Sequence, residues 1–125
     1  MSQDDSGNAM TDPGKVKIWK IRTIKNYAEA HNHILVGKVL DITDSYVRLH
    51  CRTYHFGSEL HGPEDILIGA LMVRVVPWSR IEIINELPPT FDYIQSTLIA
   101  NKTGEVLFRD RQYTCPMGGT AEPSY

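Results

Sequence analysis

The side chains best suited to chemistry in this 125-residue chain are its histidines. His31 and His33 stand two residues apart and would share one face of an extended strand, while His55 and His61 flank Glu59. Imidazole and carboxylate groups are common ligands of zinc and other transition metals. A metal site also needs donors that converge on one point and are held by supporting hydrogen bonds, which spacing alone does not supply. We therefore predict no native metal and no cofactor.

A catalytic nucleophile is equally hard to assemble. Cys51 has His50 beside it, but adjacent side chains on a strand point to opposite faces, so His50 cannot act as its base. Ser45 beside Asp44 could be drawn as a second nucleophile, but the sequence places no general base with this pair. No glycine-rich stretch leads into the Lys-Ser or Lys-Thr pair of a phosphate-binding loop. These patterns predict a protein that is not an enzyme.

Base stacking and phosphate contact have better candidates. Tyr46 follows the polar turn Thr43-Asp44-Ser45, and Trp78 stands in a short corner close to Arg80. Aromatic rings stack on exposed bases, and arginine binds phosphate. The alternative is that Trp78 fills a subunit interface and Arg80 pairs with a carboxylate. Residues 15–25 hold five basic side chains and no acid, which indicates either a second phosphate contact or a solvated strand face.

Short strands must position these side chains. The alternation in residues 46–56 predicts a strand with one core face, made of Val47, Leu49, Cys51 and Thr53. Its other face, with Arg48, His50, Arg52 and Tyr54, is expected to be exposed or to form an interface. Apolar and β-branched content predicts further strands over residues 16–24, 34–42, 66–76 and 80–85.

Glycine and proline mark the breaks between these strands. Gly69 permits a bend within 66–76, and Pro77 ends that strand because it cannot donate to a ladder. Residues 90–100 fit either a helix or the first strand of a hairpin that turns at 101–104, with the hairpin favoured slightly.

The two ends of the chain offer little to bury. We predict disordered tails over 1–14 and 114–125, which are dominated by small and polar residues. Between them we predict a barrel over 15–87 and a C-terminal extension over 88–113. A core of about 100 residues is modest, so added stability through self-association is expected.

The composition limits which binding partners and which cellular location are expected. A net charge of −2 and a pI near 6.2 argue against a strongly basic, sequence-blind nucleic-acid binder. Cys51 and Cys115 lack CxxC spacing, so we expect a buried thiol and an exposed tail thiol in a reducing cytoplasm. No apolar run approaches the roughly 18 residues of a membrane span, so no membrane partner is expected.

Two stretches resemble the motifs of the Sm-like small barrels, the Sm and Hfq-type family. An early glycine, a hydrophobic residue two positions on, a turn aspartate and an aliphatic strand occur in order at Gly37, Val39, Asp44, Val47 and Leu49. The family's second motif, two edge strands joined by a very short corner, is similar to residues 73–84. The resemblance covers residues 16–87.

The resemblance implies an all-β fold, a small SH3-like or Sm-like open barrel of about five strands, with a C-terminal hairpin or helix added. It also implies a homo-oligomeric ring, because an open sheet leaves two edges for neighbouring copies. Single-stranded RNA is the expected ligand, with contacts at Asp44, Tyr46, Trp78 and Arg80. The alternative is a structural ring without nucleic acid, because Tyr46 or Val47 and Pro77-Trp78 replace the family's Asn and its Arg-Gly or Lys-His corner.

Overall fold

The computed structural model describes residues 16–26, 30–57, 62–102, 105–110 and 113–117, and this part of the chain is all-β, as predicted. Among the residues described, 3-10 turns occupy Pro63–Asp65 and Trp78–Arg80. The strands are β1 (Ile18–Thr23), β2 (Asn32–Ile42), β3 (Tyr46–Phe56), β4 (Leu67–Ile68), β5 (Met72–Pro77), β6 (Ile81–Leu87), β7 (Thr97–Ala100), β8 (Val106–Arg109) and β9 (Thr114–Pro116).

The first sheet is antiparallel and strongly curled. Its strand order is β4-β3-β2-β1-β6. Strand β5 also pairs with β3, at residues 46–51, whereas β4 pairs with β3 at residues 54–55. Strands β5 and β6 therefore lie at opposite ends of the order, yet only the three residues Trp78–Arg80 join them. A connection this short requires the two ends of the sheet to approach each other. The amide of Trp78 donates to the Ser45 carbonyl at 3.1 Å, and the amide of Ile24 donates to the Arg80 carbonyl at 2.8 Å.

The concave face of this sheet encloses one half of the core. The predicted core face of β3 is confirmed, because Val47, Leu49, Cys51 and Thr53 are all buried. They pack with apolar side chains from the neighbouring strands, namely Trp19, Ile21, Leu35, Val39 and Val76. Alternation on β3 thus identified the inner wall of the curled sheet correctly.

The second sheet covers the convex face. Strands β7, β8 and β9 form an antiparallel sheet in the order β9-β8-β7, so the ambiguous segment 90–100 contributes a strand and not a helix. Tyr54 meets Phe108 edge to face, with ring centroids 4.7 Å apart. Tyr54 was expected on an exposed or interface face, and this expectation is wrong because the C-terminal extension packs there. Strand β2 is consequently buried on both faces, which explains its continuous apolar run.

The predicted C-terminal tail begins too early. Thr114–Pro116 pairs with β8, Cys115 is 5% exposed and Met117 is fully buried, so residues 114–117 belong to the second sheet. Cys115 is therefore not an exposed tail thiol, and burial raises its pKa. The ammonium of Lys20 donates to the Pro116 carbonyl at 2.6 Å, which ties the end of this sheet to β1. Residues 1–15 and 118–125 lie outside the described residues.

The expected strand over 66–76 is interrupted where the bend was predicted. Strands β4 and β5 both pair with β3, and residues 69–71 between them belong to neither strand. The Gly69 amide donates to the Thr53 carbonyl at 2.8 Å, and a side chain at Gly69 would collide with the Thr53 hydroxyl. Glycine is therefore required here by the close approach of β3.

Candidate functional site

The polar turn at 43–45 and the corner at 77–80 meet in the structure. The Thr43 hydroxyl accepts hydrogen bonds from the amides of Ser45 at 3.1 Å and Tyr46 at 3.0 Å, which fixes the turn locally. The indole Nε1 of Trp78 donates to the Thr43 carbonyl at 2.7 Å. Trp78 thus fastens the corner to the turn, and we call this region the turn–corner site.

The four residues expected to bind RNA do not all converge. Asp44 is exposed in the turn, and the half-buried Tyr46 pairs with Pro77 across β3 and β5, so both lie beside Trp78. Arg80 is directed elsewhere. Its guanidinium donates to Asn26 Oδ1 at 3.0 Å and to the Ile24 carbonyl at 3.4 Å, at the end of β1.

The basic segment 15–25 does not form one exposed face. Lys20 is buried under the second sheet, as described above. Arg22 lies 3.5 Å from the Glu82 carboxylate and donates to the Asn32 side chain. The alternative for Arg80 was an ion pair with Glu82 or with a carboxylate of a neighbouring copy, and the first of these is not found because Glu82 lies against Arg22. Of the other cations of this segment, Lys17 is exposed, Lys25 is half-buried, and Lys15 lies outside the described residues.

Two histidines stack on the inner face of the curled sheet. His33 on β2 lies directly opposite His55 on β3, with ring centroids 4.1 Å apart and planes 16° from parallel. Burial lowers the pKa of His33 to about 4, and the charges of His55, Arg74 and Arg80 add to this effect. Burial also lowers the pKa of His55. Both rings are therefore neutral at neutral pH. We call His33, His55, Arg74 and Arg80 the imidazole cluster.

The stack of His33 on His55 was not predicted from the sequence, and His61 and Glu59, which were considered with His55, lie outside the described residues. His33 was considered with His31, and His55 with His61, because those pairs are close along the chain. No group of three or more histidine, cysteine or acidic side chains that could hold a metal ion occurs among the residues that the structure describes.

Cys51 has no activating base in the described structure. Burial raises the pKa of its thiol to about 11, so the thiol is protonated at neutral pH. Its neighbour His50 lies on the opposite face, where Nδ1 is 2.6 Å from the Tyr93 hydroxyl. His50 therefore ties β3 to the segment before β7.

Exposed aliphatic side chains concentrate at one end of the first sheet. Of the eight large hydrophobic side chains that are exposed in the described part of the chain, five lie between residues 67 and 75. Within the described residues, β5 pairs with β3 alone and β6 pairs with β1 alone, so each has a free edge. The five side chains, 47–68% exposed, are Leu67, Ile68, Met72, Val73 and Val75.

Comparisons of the chain with protein-family models, curated protein sequences and solved structures gave no match. A search of the described residues for a helix long and apolar enough to cross a membrane found none.

Proposed function

We propose that this protein is a non-catalytic assembly module: a small Sm-like barrel whose copies join edge to edge into a homo-oligomeric ring. The observation that carries the proposal is the aliphatic surface on and before β5, at a sheet edge that pairs with no other described strand. Exposed, apolar sheet edges invite pairing with another chain, and folded monomers usually blunt them with charge or proline. Pro77 blunts only the end of β5.

The occupant of this edge is a second copy of the chain. The curled sheet ends in two different free edges, β5 and β6, and both strands pair antiparallel with their inner neighbours. Addition of β6 from one copy to β5 of the next is a heterologous contact. Such a contact repeats from copy to copy and closes into a ring when the rotation fits.

The charges on the two edges are complementary. Strand β5 contains Arg74 and no acidic residue, whereas β6 contains the exposed Glu82 and Glu86 and no basic residue. Contact between unlike edges therefore joins a basic strand to an acidic one, and contact between two β6 edges would bring like charges together. This favours a β5-to-β6 ring over a twofold dimer of like edges.

The topology of the described residues supports the Sm-like part of the proposal. Two strands at opposite ends of a curled antiparallel sheet, joined by a three-residue corner, match the second motif of the resemblance. A cytoplasmic location is part of the same proposal, since Cys51 and Cys115 are both free thiols.

Light scattering after size exclusion tests the ring. We expect the wild-type chain to elute at a mass several times 14.2 kDa, and Val75→Glu to elute near 14.2 kDa with an unchanged β-sheet circular dichroism spectrum. The new carboxylate would sit opposite Arg48 within the protomer and would repel the acidic β6 of a neighbour.

Ile42→Glu is the matched control, because Ile42 is similarly exposed but lies at the end of the inner strand β2. Its mass should equal that of the wild type. A wild-type monomer at roughly 100 µM would contradict the assembly proposal, since edge pairing of this apolar area should be populated at that concentration.

Single-stranded RNA binding at the turn–corner site is the second candidate function. The specific observation in its favour is that Trp78 lies on the turn beside Tyr46, so two aromatic rings and the exposed Asp44 share one region. This candidate has less support than the assembly module, because Arg80, the expected phosphate contact, donates to Asn26 and points away from this region.

Fluorescence anisotropy with a short uridine-rich oligonucleotide tests RNA binding. If base stacking supplies affinity, Tyr46→Ala should weaken binding by about 1–3 kcal/mol, while the oligomer mass stays unchanged. Tyr46 is preferred to Trp78 for this substitution because Trp78 also holds the turn through Thr43. Absence of binding by wild type at roughly 50 µM protein in low salt would leave the structural ring without a nucleic-acid ligand.

A further inference from the structure

The imidazole cluster gathers basic groups from separate elements. His33 comes from β2, His55 from β3, Arg74 from β5 and Arg80 from the corner before β6. Arg74 lies opposite Leu49 on β3, so its side chain belongs to the same inner face as the stacked rings. Burial lowers the pKa of both rings, and neighbouring basic groups lower it further: His55, Arg74 and Arg80 for His33, and His31 and Arg74 for His55.

Two nitrogen atoms in this cluster are buried without a protein partner. They are Nε2 of His33 and Nε of Arg74, and neither has a hydrogen bond within the described structure. Buried polar atoms in folded proteins nearly always have a partner, and each orphan is costly. Arg74 Nε always carries a proton, and His33 Nε2 carries one in its Nε2–H tautomer and in the imidazolium form, so an acceptor with negative charge would suit both nitrogens.

We propose that the imidazole cluster binds an oxyanion, namely sulfate, phosphate or a phosphate monoester, whose oxygens accept hydrogen bonds from Arg74 Nε and His33 Nε2. The stacked imidazoles supply the floor of the site, and Arg74 supplies the fixed charge. Arg80 contributes electrostatic attraction without direct contact, because its guanidinium already donates to Asn26 and Ile24.

Binding of an anion changes the proton affinity of the cluster. Without the anion, burial and the neighbouring positive charges hold the pKa of His33 at about 4. A bound dianion reverses the electrostatic part of that effect, so the imidazolium form becomes more favourable. By linkage, the anion then binds more tightly as the pH falls, because protonated His33 adds a charged donor. If binding raises the pKa of His33 from about 4 by about one, the affinity should rise about twofold between about pH 7 and about pH 5.

The same linkage fixes the pH dependence of stability in chloride. Between the ordinary histidine pKa of 6.5 and about 4, unfolded His33 binds a proton that the folded chain does not bind. Stability is therefore fully present above 6.5 and is lost as the pH falls towards about 4, and His55 acts in the same direction. Sulfate should reduce this loss in the wild-type chain.

Imidazole NMR and thermal unfolding of the full chain test the site, in low-millimolar sodium sulfate against sodium chloride of equal ionic strength. Sulfate stays a dianion throughout this pH range, so it probes charge without titrating itself. We expect sulfate to raise the pKa of His33 by about one or more. His50, which lies on the opposite face against Tyr93, serves as the internal control and should not respond.

Substitutions separate this site from a general salt effect. Arg74→Gln and His33→Gln should abolish the preference for sulfate, while Arg48→Gln should retain it because Arg48 lies on the other face beside Asp41. Inorganic phosphate, uridine monophosphate and a uridine oligonucleotide then distinguish a free anion, a monoester and a polynucleotide backbone as the source of the oxyanion.

The outcomes are exclusive. A sulfate-dependent rise in the His33 pKa that disappears in Arg74→Gln supports the site, whatever the oligomer mass is. Equal His33 titration in sulfate and chloride, or an equal sulfate response in wild type and Arg74→Gln, overturns it. The sulfate response and the oligomer mass are separate measurements on the wild-type chain, so failure here leaves the ring proposal standing, and a monomeric wild type leaves the anion site standing. Because Arg74 also lies on the β5 edge, His33→Gln on the inner strand β2 is the variant that tests the site away from that edge.

Discussion

Gly37→Ala is expected to lower the melting temperature by about 12–24 °C, the consequence of a loss of about 3 kcal/mol in a domain of this size. A Cβ atom at Gly37 would collide with the carbonyl oxygen of His50 and with Cys51, whose Cα would be 2.5 Å away. The colliding atoms belong to the backbone of β3, so rotation of a side chain cannot relieve the contact. Strands β2 and β3 would have to separate at the centre of the curled sheet.

Gly57→Ala is the matched control, because a Cβ atom there would meet nothing within 4 Å. It should change the free energy of unfolding by no more than about 0.5 kcal/mol. Thermal unfolding followed by circular dichroism measures both variants. If Gly37→Ala melted within about 2 °C of the wild type, the close approach of β2 and β3 described here would be wrong.

Gly37 also illustrates what a sequence pattern can predict and what only the structure explains. The family resemblance singled out Gly37 as the early glycine of a motif, which is a statement about pattern. The structure supplies the physical cause, since Gly37 lies directly opposite Cys51 and no side chain fits between the strands. The alternation of β3 was predictable for a simpler reason: its inner face is apolar at every second position.

The burial of the convex face could not be predicted, because the second sheet that packs on it is far away in the sequence. Tyr54 was assigned to an exposed face through its alternation with Thr53, and local pattern gave no sign that Phe108 would pack on it. Lys20 is a similar case. A lysine in a basic segment indicates a solvated face, yet the second sheet buries Lys20 and provides two backbone carbonyls for its ammonium.

The stacking of His33 on His55 depends on one register shift between β2 and β3. Strands β2 and β3 pair with a bulge between Val39 and Asp41. Without this bulge the hairpin would place His33 opposite Phe56, whereas the structure places it opposite His55. A shift of one residue changes every pair beyond it, and no turn signal in the sequence marks the bulge.

The turn–corner site was predicted more successfully than the cluster. Residues of both segments were predicted from the sequence as RNA contacts, and the structure places the segments together, since the indole of Trp78 donates to the Thr43 carbonyl. Arg80 was misassigned because its position in the corner does not determine the direction of its long side chain. Its partners, Asn26 and the Ile24 carbonyl, follow β1 and are remote in sequence.

Met117→Ala is expected to destabilise the protein by about 2–5 kcal/mol, although the sequence placed Met117 in a disordered tail. Met117 is fully buried in the core between the two sheets, and its amide donates to the Val106 carbonyl at 3.0 Å. Truncation to alanine removes the thioether from this core and leaves a cavity that the surrounding strands can fill only in part. Chemical denaturation should show the loss as a lower midpoint with an unchanged slope.

Ile94→Ala is the control, because Ile94 precedes β7 yet its side chain is 45% exposed. Its effect should stay below about 1 kcal/mol, since little apolar area leaves contact. Equal stability of Met117→Ala and wild type would mean that the chain end does not close the second sheet, and the boundary of the folded unit would return to residue 113. A large loss in Met117→Ala alone would show that the Met117 side chain helps to join the two sheets into one cooperative domain, because it packs in the core that both sheets line.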